Sequence, residues 1–159
     1  MRAVYESYGK PYVEKVAKEL GITVVGPFLE KPVTELEVRR VLAAMSEERV
    51  DAVYVNDLVE VWVNTPLVVR LAREFRLPAI YVYRYWTQIG GLMSYDYGLS
   101  DLGRIAADQI DQILKGMKPG DIPIYQQQKF TLSINLKTAN ALGLTIPTSL
   151  FASADEVIE

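Results

Sequence analysis

Four short clusters in this chain carry side chains able to do chemistry: Ser7-Tyr8, Asn56-Asp57, Tyr83-Arg84 and Ser94-Tyr95-Asp96. Each follows an apolar run of strand type. Arg84 is suited to hold a carboxylate in a two-pronged grip. Asp57 and Asp96 are suited to meet an ammonium group. Tyr8, Tyr83, Tyr95 and Trp86 can stack on a ring or line an apolar slot. Such a set favours binding a small zwitterion or an aromatic acid over making and breaking bonds. Every member also has a plain structural role open to it. Asp57 reads more readily as a loop or capping carboxylate than as a ligand contact, and Tyr83 and Tyr95 read equally as strand residues that pack. Arg84 could pair with a surface acid. Ser94 is the weakest single candidate.

The totals narrow the chemistry further. The chain has 159 residues with no histidine and no cysteine. That removes Ser-His-Asp triads, Cys-His pairs, thiolate nucleophiles, disulfides and His- or Cys-based zinc sites. Carboxylate, Lys or Tyr catalysis stays open. Twenty acidic residues against 17 basic ones leave a net charge of -3. With no basic excess to neutralise a phosphate backbone, nucleic acid is not an expected partner. The acids Asp101, Asp108 and Asp111 read as a solvated helix face and a cap, so no metal or other cofactor is expected. Tyr5 to Pro11 superficially resembles a phosphate loop but lacks its glycine spacing and Lys-Ser/Thr ending. No apolar run reaches the length of a membrane span. Met1-Arg2-Ala3-Val4-Tyr5 begins like a strand and not like a secretory signal.

The elements that must position these clusters alternate regularly. Arg2 to Glu6 reads as a strand, and Pro11 opens a helix whose inner face is Val13, Val16, Ala17 and Leu20. Ile22 to Val25 reads as a second strand. Thr34 caps the next helix, with Glu35 and Glu37 in its first turn. Its apolar face is Leu36, Val38, Val41, Leu42 and Met45. Asp51 to Val55 is a third strand, a helix follows Asn64-Thr65-Pro66, and Ala79 to Tyr83 is a fourth strand. Arg84 to Ile89 forms a helical turn and Leu92 to Tyr95 a fifth strand. Ser100-Asp101 caps an amphipathic helix from Leu102 to Leu114. Past a joint at 119–130 come a strand at Phe130 to Asn135, helices at Leu136 to Leu142 and Pro147 to Ala152, and Val157-Ile158 as an ending strand.

Strands alternating with helices at this spacing predict an α/β fold, a Rossmann-like parallel sheet with flanking helices. Ligands then bind at the carboxyl ends of the strands, where all four clusters lie. The paired Gly90-Gly91 allows backbone to pass close to a neighbour or to turn with positive φ. The run from Gly90 to Gly98 is expected to act as both ligand lip and hinge.

Several motifs in order are more specific than any of these features alone. They are Gly90-Gly91-Leu92-Met93-Ser94-Tyr95; Ile113-Leu114-Lys115-Gly116 with Lys118-Pro119; Asn135 to Ala139; Leu142-Gly143-Leu144-Thr145-Ile146-Pro147; and Ala154 to Ile158. This series resembles the ABC-transporter substrate-binding protein family that includes tryptophan/tyrosine-type solute receptors. The match is dense over about residues 78 to 159 and one of pattern before that. Two departures stand out. Asp96 occupies the place of a glycine that usually follows the Ser-Tyr pair, and Tyr85-Trp86 replaces a Glu-Phe-like pair. Tryptophan is therefore not carried over as the ligand.

The resemblance implies a periplasmic-binding-protein (type I) lobe, closing on ligand by a hinge. It implies that residues 1–97 form the second (C-terminal) lobe and 98–120 a crossover helix belonging to a first lobe absent from this chain. Residues 121–159 then form a return segment and tail. The expected function is that of the solute-binding component of an ABC importer, taking an amino acid or aromatic acid without converting it. The expected partners are the solute, an ABC permease and a second copy through the exposed crossover helix. The expected location is periplasmic or extracytoplasmic. The rival readings are a flavodoxin-like nucleotide-binding or enzymatic domain, with Tyr8, Lys10 and Asp57 as its site, and a cytoplasmic ligand-sensing regulatory lobe.

Overall fold

A computed structural model describes residues 10–27, 29–30, 32–56 and 59–159. The predicted strand at Arg2 to Glu6 and the candidates Ser7, Tyr8 and Asp57 lie outside the described residues. The rest divides into two compact units, one within Met1–Val53 and Asp57–Pro78, the other Tyr54–Asn56 with Ala79–Glu159.

The regular structure described in the first unit is helical apart from Val53, which begins a strand. The unit holds α1 (Lys10–Leu20), α2 (Glu35–Glu47), α3 (Val59–Trp62) and α4 (Thr65–Glu74). Thr34 caps α2 as the sequence predicts, its hydroxyl accepting from the Glu37 N–H at 3.3 Å. Val38, Val41 and Leu42 of α2 and Val68, Val69, Leu71 and Ala72 of α4 are buried. Helices α2 and α4 pack on each other, and ions stitch their rims. Arg39 reaches Glu74 at 2.6 Å, Arg70 reaches Glu35 at 2.9 Å, and the Arg39 guanidinium lies over the Phe75 ring. Three expectations fail here. Leu20, assigned to the inner face of α1, is 66 % exposed at the end of the helix. Leu36, assigned to the buried face, is 78 % exposed because it sits in the first turn, off the Val38-Val41-Leu42 line. Ile22 to Val25 forms no strand. Apolar β-branched residues favour extended backbone, but a strand also needs a hydrogen-bonded neighbour, and none pairs with it among the described residues.

The second unit carries the sheet. Its strands run in the order β1 (Val53–Val55), β2 (Ala79–Tyr81), β3 (Met93–Asp96), β4 (Thr131–Asn135) and β5 (Glu156–Ile158). Strands β2 and β3 are parallel, as are β4 and β5, but β3 and β4 are antiparallel. The sheet is therefore mixed, with an antiparallel seam between β3 and β4. A chain returning through the extended segment after residue 121 enters β4 from the end at which β3 leaves off, so no βαβ crossover is needed there. The register places Tyr81, Ser94, Ser133 and Glu156 in one row across four elements of the unit, with Leu92 and Asn135 joined by a backbone bond of 2.8 Å.

Over this face lies α5 (Arg84–Gln88), which touches β2, β3 and β4. Trp86 is its anchor, buried edge-on against Tyr81 and Tyr83 at 5.7 and 5.5 Å. The turn after α5 shows why two glycines are needed. Gly90 takes φ 111°, open to few other residues. A Cβ on Gly91 would lie 2.6 Å from the Tyr81 ring and 2.7 Å from the Trp86 carbonyl oxygen. Asn135 binds the layers from the other side. Its Oδ1 accepts from Thr138 N–H, capping α7 (Leu136–Leu142), and its Nδ2 donates to the Thr87 carbonyl.

Between β3 and β4 runs α6 (Leu99–Leu114), then a single 3₁₀ turn at Pro119–Asp121. Helix α6 begins earlier than the predicted Ser100-Asp101 cap. Gly98, at φ 70°, turns the chain into the helix directly after β3. None of its 16 residues is buried; Ile110, Ile113 and Leu114 are all exposed. The short α8 (Thr148–Ala152) precedes β5.

Candidate ligand-binding site

The carboxyl ends of β2 and β3 meet the amino ends of β4 and β5, because the β3–β4 seam is antiparallel. Asp96 ends β3 and holds this corner with both carboxylate oxygens. Oδ1 accepts from the Gly98 N–H at 2.6 Å and Oδ2 from the Arg84 N–H at 3.0 Å. The first bond is an Asx-turn that shapes the entry to α6, and the second fixes the start of α5. Asp96 thus ties the exit of one strand to the exit of its neighbour.

Tyr83 precedes α5 with extended backbone and is buried. Its hydroxyl shares a 2.5 Å hydrogen bond with that of Tyr97, and the two rings lie 5.4 Å apart. Tyr97 joins the corner, although its sequence signal was merely its place beside Asp96.

Arg84 is the one cationic side chain among the predicted residues. Its Nε and Nη2 donate to Glu156 Oε2 and Oε1 at 2.6 and 2.7 Å. Glu156 is itself held by Ser133 Oγ at 3.0 Å. The Arg84 guanidinium holds the Glu156 carboxyl below its ordinary range, against the opposing effect of burial, with Ser133 and then Gln88 adding to the shift. The same pairing raises Arg84. Glu156 escaped the sequence reading because it lies 72 residues from Arg84. Its one signal was the Ala154 to Ile158 motif.

Of the remaining candidates, Asn56 follows β1 and is half-buried. Ser94 is fully enclosed within the sheet row, and its Oγ, like Thr87 Oγ1, lacks a hydrogen-bond partner among the described residues. Tyr95 points to the other face of β3 from Ser94. It stacks on Phe130, with centroids 5.1 Å apart and planes 3° apart. The structure therefore brings Tyr83, Arg84 and Asp96 into one constellation with Tyr97 and Glu156, and leaves Ser94 inside the sheet and Tyr95 across it. Among the described residues no group of three or more acidic side chains is placed to hold a metal ion. Nor, among the described residues, is any helix long and apolar enough to cross a membrane.

Comparisons with known proteins give the family. Residues 10–158 match the family described as ABC transporter substrate binding protein. The chain belongs to that family. Among solved structures, the ABC domain from Streptococcus pneumonia in complex with L-Trp is 31 % identical with a TM-score of 0.79, the match covering 94 % of this chain and 50 % of that one. Two further structures share the fold. A conserved domain protein from Vibrio cholerae O1 biovar El Tor is 22 % identical (TM-score 0.80; 93 % of this chain, 49 % of that one). The ligand-free, open form of CD0873, a substrate-binding protein with adhesive properties from Clostridium difficile, is 21 % identical (TM-score 0.68; 98 % and 50 %). This chain thus spans about half the length of the structures it matches. No curated protein matches it.

Proposed function

We propose that this chain supplies the second lobe of an extracytoplasmic receptor that delivers a small organic solute, an amino acid or an aromatic acid, to an ABC importer without altering it. The observation that carries the reading is the corner where Tyr83, Arg84, Asp96 and Tyr97 converge, in a chain that belongs to a substrate-binding family. A cation, a carboxylate and two phenols at strand ends match the needs of a zwitterion with a ring. They offer no histidine, thiol or metal cluster for bond chemistry. The L-Trp bound to the 31 % identical domain is a solute of this class.

Residues 1–97 form that lobe in this reading, with Asn56 at the end of β1 and Ser94 and Tyr95 supporting the ligand edge from within β3. Residues 98–120 belong with a first lobe, and 121–159 return to the second. Support comes from α6, a 16-residue amphipathic helix with no buried residue, and from the half-length match to each solved relative. Isothermal titration with the amino acids, a set of aromatic acids, and ATP and NAD tests the proposal. Saturable heat from one amino acid or aromatic acid is expected, weak because one lobe encloses half a ligand. Heat from a nucleotide alone would overturn it in favour of a nucleotide-binding domain.

A further inference from the structure

The guanidinium of Arg84 has two edges able to grip a carboxylate, Nε with Nη2 and Nη1 with Nη2. The first is taken by Glu156. Glu156 is not a loose surface acid. Its side chain is 25 % exposed, it pairs through β5 with the fully buried Ser133, and it takes the Ser133 hydroxyl as a donor. The Arg84 backbone is fixed in turn by Asp96. Both ends of a long, flexible side chain are therefore anchored, while its side chain stays 51 % exposed.

From this geometry we infer that Glu156 is a positioning residue for the ligand: it holds Arg84 so that the outer Nη1–Nη2 edge faces a solute carboxylate. The inference rests on the receptor reading above, in which Arg84 meets that carboxylate. An unanchored arginine loses rotamer freedom on gripping a ligand, whereas one already held by a second carboxylate has lost most of it beforehand. The paired carboxylate also offsets the guanidinium charge, so selectivity comes from the geometry of the free edge and not from bulk attraction.

The test is a comparison of ring-matched ligands. L-Tryptophan, L-tyrosine and L-phenylalanine keep the carboxylate; tryptamine, tyramine and phenethylamine lack it. Affinities are measured by titration for the wild type, Arg84→Ala, Glu156→Gln and Glu156→Asp. The wild type is expected to prefer the amino acid of the bound pair at least tenfold, and Arg84→Ala to abolish that preference. Glu156→Gln is expected to reduce it about three- to tenfold while leaving amine binding unchanged, and Glu156→Asp to restore part of it. A role for Glu156 in stability alone would weaken amino acid and amine equally, and that result overturns the inference. So does Glu156→Gln binding the amino acid more tightly, which would make Glu156 a competitor of the ligand. The nitrogen-proton NMR signal of Arg84 Nε supplies a readout independent of ligand: sharp and protected in the wild type, exchange-broadened in Glu156→Gln. An unchanged signal counts against the inference. Wild-type protein that binds none of the six compounds refutes the underlying receptor reading for aromatic amino acids, whatever the NMR signal shows.

Discussion

Gly91 is the residue whose replacement has the plainest consequence. Any side chain there meets the Tyr81 ring and the Trp86 carbonyl at under 3 Å, and both are packed against a sheet that cannot give way. Gly91→Ala is expected to cost about 1–3 kcal/mol as overpacking, seen as a lowered thermal midpoint. Gly91 was legible in the sequence as half of a glycine pair, although the obstructing neighbours were not. Glu156 shows the reverse. Its carboxyl is held below its ordinary value of 4.5 chiefly by the Arg84 hydrogen bonds. A depressed carboxyl contributes stability that is in place above the unfolded value and is lost as pH falls through the folded one. Glu156→Gln should therefore lower stability at pH 7, with the difference shrinking as pH falls below 4.5, as chemical denaturation along a pH series would show. Because Arg84 is half exposed, solvent screening keeps the pH 7 difference to about 1 kcal/mol. Nothing near Glu156 in sequence announced this partner, since ion pairs formed across a sheet leave no periodic trace.

At the scale of elements, two helix caps separate local from tertiary stabilisation. Thr34 caps α2 with an exposed 3.3 Å bond, whereas Asn135 caps α7 and also donates to the Thr87 carbonyl of α5, which accepts from the Gly90 N–H as well. Thr34→Ala should cost under about 1 kcal/mol. Asn135→Ala should cost about 2 kcal/mol, because it removes a buried hydrogen bond to the Thr87 carbonyl together with the cap. Urea denaturation of the two variants side by side checks the ordering; equal losses would mean that the Asn135–Thr87 bond adds nothing. Helix α2 was readable from its Thr34 cap and apolar spacing, and α7 as a short helix over Leu136 to Leu142, although Asn135 was not singled out as its cap. The reading of Ile22 to Val25 as a strand failed for the reason the caps succeeded. A cap is satisfied within four residues of itself, while a strand is satisfied by a neighbour that can lie anywhere in the chain.

At the scale of the molecule, α6 sets the expectation. It presents Ile110, Ile113 and Leu114 to solvent on a helix with no buried residue, and contiguous apolar surface of this kind seeks cover. A second copy of the chain is the expected cover for these residues in isolation. Sedimentation should report a dimer for the wild type and a monomer for Ile113→Lys with Leu114→Lys; a monomeric wild type would sink the idea. The amino-acid sequence by itself determined the α/β class, most of the helices, the glycine turn and the family, since these follow from periodicity, caps and ordered local motifs. It also placed Tyr83, Arg84 and Asp96 at strand ends. The tertiary structure alone decided that β4 runs antiparallel to β3, and hence that Ser133 and Glu156 arrive at the corner where Arg84 and Asp96 sit. It separated Ser94 from Tyr95 by turning them to opposite faces of one strand. Strand direction and register come from pairings between distant segments, and those depend on which surfaces bury each other, a property no local stretch of sequence holds.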